Sequence, residues 1–457
     1  MTAYSEQIQR IKKKLIEAKA ADKSCMVFGA EQHEYAIGEP TTIEKIAQLE
    51  EKYSIELPEC YKSFVLHVGN GDLTGQNPSA GPFYGIYPFG ENINELIYAD
   101  SEKYLKNSCV IHPKMTDEFW KALSQKINED ETIADEEYDQ ELGKLWGGIL
   151  PLGSQGCTYL HGIVLNGQYK GRVVNLDSDG QKPTFAFERN FLDWYERWLD
   201  EVISGDLIHD HTGWFGYHMG GSEEELLKLF ISSIDVQEKV DCLNGLLNKK
   251  GLKDETINRI ESLIETNPEH KVRLIQLICK SDDQIAKPHL IELLQTDLLS
   301  VFQFIYWYAK DKAIEWLNVI EDNVFRIEDE ETFRFCTYLL KETNTDYSRL
   351  IIPFARHHIE GIKVQSLYTL GQLENKKDYI ETFIEGLKDD SNRVIHTSLQ
   401  ALSGVKDNRL LACYKDIAEK FPIEQDYILA NLNHRLADYG LTNRTVMGTS
   451  APKESNP

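Results

Sequence analysis

The sequence predicts an α+β N-terminal domain, an antiparallel sheet packed with helices, followed by an all-α solenoid. Three observations carry this. Apolar residues recur with a helical period through most of the first 148 residues, switch to a period of two over 150–187, and return to a helical period from 190 onward. From 222 to about 438, helical segments are broken every 12–18 residues, and no strand pattern intervenes. Within that region a 32-residue offset aligns Leu367, Leu370 and Leu373 with Leu399, Leu402 and Val405, and Asn375 and Lys377 with Asp407 and Arg409. Helix pairs repeating at such a spacing bury their faces on their neighbours, as in an α-solenoid. A chain of 457 residues suits two or three domains.

Each element follows in order. Residues 4–20, within an N-terminal stretch 1–24, place Ile8, Ile11, Leu15 and Ile16 on one helical stripe. Two short alternating runs, 26–28 and 35–37, predict strands ending at Pro40. A threonine pair, Thr41-Thr42, opens the next helix by capping its free N–H groups. Leu57-Pro58-Glu59 starts another, with proline in the first turn where a missing N–H costs nothing. Tyr61, Phe64, Val65 and Val68 form its buried face, and Gly69-Asn70-Gly71 stops it.

Residues 81–87 predict an aromatic strand bracketed by glycines, and 91–148 a mixed, mostly helical stretch. Within it, 128–141 carries eight acids and no base, a block that repels itself and stays solvated or meets a basic partner. Residues 158–165 and 169–176 flank Asn166-Gly167, a dipeptide suited to a tight hairpin turn, and Asp179-Gly180 turns the chain into 184–187. An aromatic helix over 190–203 then covers one sheet face through Phe191, Trp194, Tyr195, Trp198 and Leu199. The resulting division is a domain over 25–204, a glycine-rich linker or docking segment over 205–221, helical repeats over 222–440 and a disordered tail over 441–457.

Composition narrows the function. The formal net charge is -25, spread through both halves, so nothing resembles the basic surface that phosphate contacts require. Such a field repels nucleic acid and attracts a basic protein. The eight cysteines are scattered with no metal-ligand spacing, as expected of reduced thiols in a cytoplasmic protein. No apolar stretch of signal-peptide length opens the chain, and the stretch at 301–309 reads as a core helix rather than a membrane span.

No catalytic motif emerges. His209-Asp210-His211 with His218 has chelating spacing but lies in a glycine-rich segment without thiolates. Asp177-Ser178-Asp179-Gly180 resembles the start of a calcium loop but reads better as a hairpin turn. Gly69, Gly71 and Gly75 follow a helix rather than a strand, with the wrong spacing for a dinucleotide site. His357-His358 reads as a packing or surface pair. The expectation is no catalytic residue, no metal, no cofactor, and neither a nucleic-acid nor a membrane partner.

An ordered set of short motifs carries a family resemblance. It runs through Phe28-Gly29-Ala30 with His33 and Tyr35, Leu57-Pro58-Glu59 with Tyr61, and Gly69-Asn70-Gly71. It continues with Gly81-Pro82-Phe83-Tyr84-Gly85, Leu150-Pro151-Leu152, Gly156-Cys157-Thr158-Tyr159 and Gly171-Arg172-Val173-Val174. Asp179-Gly180-Gln181 and the run from Phe191 through Trp194 and Trp198 to Leu199 complete it. In this order, over 25–203, the motifs resemble the SUKH superfamily, in the branch that includes fungal cell-wall-assembly regulators and many bacterial proteins. A run from Asp390 through Val394 and Ser398 to Ala401-Leu402 similarly resembles the second helix of HEAT-like repeats.

The resemblance implies a non-enzymatic binding protein. It points to an immunity protein that neutralises a polymorphic or contact-dependent toxin, often a nuclease, or alternatively to a regulatory scaffold joining two proteins. It also implies structural roles for the motif residues, glycines for turns, Pro58 for a helix start and aromatics for the core. For the partner-binding surface, the acidic block nominates Asp135, Glu136, Glu137 and Asp139 to meet a basic toxin domain.

Overall fold

The computed structural model describes residues 4–70, 79–97, 101–208, 214–421 and 426–448. Contacts divide the chain into two compact units, Met1–Arg259 and Ile260–Pro457.

In the first unit, α1 (Ser5–Ala21) buries Ile8, Ile11, Leu15 and Ala18, the stripe that the helical period predicts, except that Ile16 is exposed. Helix α2 (Ile43–Tyr53) is capped by Thr42, whose side chain accepts from the Lys45 amide at 3.3 Å. Helix α3 (Glu59–His67) begins directly after Pro58. The stretch expected to be mixed and mostly helical contains α4 (Ser101–Tyr104), α5 (Asp117–Glu129) and α6 (Asp135–Leu145).

Strands β1 (Ile149–Gly156), β2 (Tyr159–Val164), β3 (Val173–Asp177) and β4 (Thr184–Phe185) form one antiparallel sheet in the order β1-β2-β3-β4. Irregularities in the β1–β2 register fall between Pro151 and Gly153 and between Ser154 and Gly156. Both faces of this sheet are covered. Leu152, Ile163 and Val173 join a core shared with α1, α3 and α7 (Phe191–Ser204). Leu160, Val164, Val174 and Leu176 join another built around Trp120 and Trp146.

Helix α7 is the hub, with Phe191, Trp194, Tyr195 and Trp198 all 1% exposed or less. Asn190 caps it, accepting from the Leu192 and Asp193 amides. Its polar edge fastens α1, because Glu196 accepts from Arg10 at 2.8 Å and from Lys14 at 2.9 Å. Those cations hold the Glu196 carboxyl down at about 2 against the opposing effect of its partial burial.

Three expected strands are absent. Residues 26–28 and 35–37 lie in turns around a short 3-10 helix, Ala30–Gln32, with Gly29, Glu34 and Tyr35 in the left-handed region. The buried Asp22 carboxylate organises this turn, accepting from the Met26 amide at 2.7 Å, the Val27 amide at 3.0 Å and the Tyr35 hydroxyl at 2.7 Å. Residues 81–87 likewise fold as turns, with Phe83 and Gly85 at positive φ and one bridge between Ser79 and Ile86.

Of the two readings of 205–221, linker or docking segment, the described residues show docking. Residues 214–221 pack onto the first unit, with Phe215 buried against Trp194 and Tyr217 donating its hydroxyl to Gln155 at 2.9 Å. Residues 209–213 lie outside the described residues. Helices α8 (Glu223–Ser232) and α9 (Val236–Leu247) belong to this unit too, so it extends well past the boundary expected at 222. A capping box of Ser222 and Glu225 starts α8, and Lys249 pairs with Asp206 at 3.0 Å. The division between the units falls within α10 (Asp254–Leu263).

The described residues of the second unit are helical throughout, with no strand. After α10 come α11 (Lys271–Ser281), α12 (Asp283–Leu293), α13 (Leu298–Tyr308), α14 (Leu317–Asn323), α15 (Glu330–Glu342) and α16 (Ser348–Ile351). Then follow α17 (Glu360–Leu370), α18 (Ile380–Leu387), α19 (Asn392–Ala401), α20 (Leu410–Lys420), α21 (Asp426–Ala437) and α22 (Asn443–Val446). Every second helix packs on the next of its set, so α11, α13, α15, α17, α19 and α21 make one continuous layer. Asp282, Asp297, Asp329 and Ser391 cap α12, α13, α15 and α19 through side-chain oxygens. The tail expected to be disordered from 441 instead continues as α22, capped by Thr442; 449–457 lie outside the described residues. No helix among the described residues is long and apolar enough to cross a membrane.

Candidate functional site

The acidic block does not stay an unstructured stretch. Its first part ends α5 and its last part forms α6, with Asp135, Glu136 and Glu137 in the first turn. Carboxylates there face the positive end of the helix dipole, which explains why so acidic a sequence folds as a helix. The four nominated residues do not act alike. Glu137 is paired with Lys126, which also lies 3.5 Å from Glu141, and this pairing raises the Lys126 pKa. Lys144, at 2.8 Å, lowers the pKa of Glu141. Among the described residues Asp135, Glu136 and Asp139 have no such counter-ion, and Asp135 and Glu136 are exposed. Between α5 and α6 runs an open groove of about 560 Å³, lined by Gln125, Lys126, Glu129, Asp130 and Glu141 among others. It offers carboxylates from two helices, which suit guanidinium or ammonium groups from a partner.

The motif residues lie in the core and at its turns. Leu57 is fully buried, Pro58 precedes α3, and Tyr61 packs edge-on to Phe191. Gly69 sits at φ 154°, where a Cβ would come within 2.1 Å of the Gly38 oxygen. Asn70 is buried at φ 87° and donates from its side chain to the Tyr87 carbonyl at 2.5 Å. Gly71 lies outside the described residues. Gly81, Pro82 and Gly85 are buried, and Tyr84 lies partly exposed with its ring against Gly156. Pro151 pairs with Gly162 in the sheet, and Cys157 turns the β1–β2 hairpin at φ 49°, exposed. Trp194 and Trp198 are fully buried on α7.

The other candidate groups separate. His209, Asp210 and His211 lie outside the described residues. His218 is partly buried near Arg197, and burial followed by that charge lowers its pKa. In the turn at 177–180, Asp177 accepts from the Asp179 amide at 3.0 Å, the geometry of a side-chain-stabilised turn. The His357 and His358 rings lie 4.4 Å apart, tilted, in the connection before α17 rather than inside a helix. Among the described residues no group of three or more His, Cys, Asp or Glu side chains is placed to hold a metal ion.

Comparison with known families decides the first unit. Residues 40–197 match the model of the SMI1 / KNR4 family (SUKH-1). The first unit therefore contains a SUKH-1 domain. No curated protein and no solved structure matched the chain. The match starts at Pro40, so the Asp22-centred turn and α1, which pack on α7, lie N-terminal to the SUKH-1 segment.

Two features of this domain escaped the sequence reading. His161 on β2 is fully buried, its ring 5.1 Å from that of Trp194. Burial pushes its pKa down to about 3, and that of buried His33, beside Trp198, down to about 4. The second is Arg197, buried between Glu188 at 2.7 Å and Glu201 at 2.6 Å. The i,i+4 spacing of Arg197 and Glu201 on a helix was visible in the sequence; that both would be buried was not.

Proposed function

We propose that the chain is a non-enzymatic immunity protein that binds and occludes a basic toxin domain through the acidic α5–α6 face of its SUKH-1 domain. The observation that carries this is the set of unneutralised carboxylates, Asp135, Glu136 and Asp139, held on one helix, α6, of a domain that matches the SUKH-1 family. The net charge of -25 supports the same reading, since opposite charge accelerates encounter with a cationic partner. The test is co-expression with the toxin-like product of an adjacent gene. Protection of the cells and co-purification support the reading; a toxin that kills regardless, with no complex formed, removes it. Cytoplasmic location and the absence of a cofactor belong to the same proposal.

A second reading, a scaffold joining two proteins, is favoured by the architecture of the second unit. We infer a HEAT-like array there. Besides the stacked layer, side-chain bonds join residues at recurring separations: Lys287 to Glu315 at 28, Arg349 to Glu321 at 28, Arg356 to Glu385 at 29 and Arg409 to Glu381 at 28. Affinity capture with wild-type protein and with a charge-reversed α6 separates the readings. An immunity protein loses its one partner on reversal, whereas a scaffold keeps a second.

A further inference from the structure

The layer of alternate helices in the second unit has a charge pattern opposite to that of the chain. Its acids, Glu330, Glu331, Glu342, Glu360 and Asp426, all sit in a first turn or at a last residue. Helices α11, α13 and α19 contain no acid at all. Where acids are missing, aromatic and cationic side chains meet across neighbouring helices. Gln276 donates to the Tyr308 hydroxyl at 3.0 Å, and Tyr306 lies 5.3 Å from Tyr338. Trp307 stands edge-on to Phe335 at 5.9 Å, and the His396 ring meets Tyr427 at 5.2 Å. Trp307, Tyr368 and Tyr427 are each nearly half exposed, at 47%, 45% and 47%.

Lys341 marks the centre of this face. Its ammonium lies 4.8 Å over the Tyr368 ring, and among the described residues it has no carboxylate partner. Partial burial lowers its pKa, so this cation has lost part of its hydration without gaining a counter-ion. Arg334 and Arg393, by contrast, already pair with Glu331 at 3.3 Å and Glu360 at 2.9 Å.

We propose that this face binds an extended acidic peptide segment of a partner protein, a carboxylate meeting Lys341 and its intervening side chains packing on Trp307 and Tyr368. Charge complementarity selects that occupant. A polyanion such as RNA gains its affinity from many phosphate contacts, and Arg334 and Arg393 are already paired within a chain of net charge -25. A peptide uses the aromatic surface as well. The spacing also fits, because an extended chain advances about 3.3 Å per residue and packed helices lie about 8–10 Å apart. A side chain at every third position thus meets one helix per step. This site goes beyond the α5–α6 reading and involves none of its residues.

The test uses the full chain and a fluorescein-labelled twelve-residue peptide with Glu at every third position and Tyr, Ser or Pro between. Its controls are the same peptide with Lys for Glu, and a twelve-nucleotide oligouridylate. Fluorescence anisotropy at low salt is expected to show binding of the acidic peptide alone. Lys341→Glu should weaken it at least about tenfold and Trp307→Ala several-fold. Lys341→Arg should retain it, and Lys12→Glu on the exposed side of α1 should leave it unchanged. Circular dichroism melts check that the variants fold. The proposal fails if the acidic peptide does not bind, if the lysine peptide or the oligonucleotide binds as well, or if folded Lys341→Glu binds normally.

Discussion

Acid should unfold the first unit through two buried histidines. His161 and His33 are held neutral in the folded chain, with pKa values pushed down to about 3 and about 4. An unfolded histidine titrates near 6.5, so below that pH the unfolded state takes up protons that the folded state refuses. Stability is therefore fully present above about 6.5 and falls as the pH drops toward the folded values. From pH 7 to pH 5 each histidine should cost roughly 2 kcal/mol, or about 4 kcal/mol for the pair.

Replacing His161 by Phe removes one of the two titrations while keeping an aromatic ring beside Trp194. Urea unfolding followed by tryptophan fluorescence reports mainly on this unit, which holds five of the seven tryptophans. Wild type should lose roughly twice as much stability as His161→Phe between the two pH values, whatever the absolute stability of the variant. Equal losses in the two proteins would refute the assignment of His161 as a neutral core residue. His161→Leu guards against a steric artefact in the first variant.

Other expectations follow from the same cores. Arg197→Met leaves the buried Glu188 and Glu201 carboxylates unpaired and should destabilise the unit by about 3–5 kcal/mol in urea titrations; a change below about 1 kcal/mol would mean that the ion triad contributes little. Phe215→Ala removes a ring packed 5.7 Å from Trp194 and should cost about 3–5 kcal/mol, which an unattached linker residue would not. In a thiol assay with an aromatic disulfide, Cys157 should react rapidly in native protein. Cys60, Cys242, Cys279, Cys336 and Cys413 are buried and should react only on unfolding, since burial pushes their thiols up, Cys279 to about 12. Rapid native labelling of any of these five would contradict the packing.

The elements legible in the sequence were those with a local signal. Thr42 before an apolar period, Pro58 at a helix start and the alternation around Asn166-Gly167 each carry a local signal; α2 and α3 stand where it indicates, and β2 and β3 pair as expected but across a longer connection, with β3 starting at Val173 rather than at 169. The failures share one cause. Residues 26–37 and 81–87 alternate like strands, yet their conformation is set by distant partners: Asp22 gathers three donors, and Gly85 lies so close to the Ser79 carbonyl that a Cβ would come within 2.3 Å. The glycines around 205–221 left linker and docking segment open, because nothing local announces that Phe215 docks against α7. Of the candidate interface, the acids were legible and their pairing was not. Lys126 is nine residues upstream of Asp135, and only the packing of α5 on α6 brings it to Glu137 rather than to its neighbours.

The central claim is that the SUKH-1 domain works by docking a basic protein on its α5–α6 face. Once an adjacent-gene partner is in hand, titration calorimetry with wild type and the Asp135→Lys, Glu136→Lys, Asp139→Lys triple variant tests it most directly, across a series of salt concentrations. The account predicts tight wild-type binding that weakens as salt rises, and a folded triple variant with sharply lower affinity and a flatter salt dependence. Equal affinity of the two proteins at low salt would contradict it.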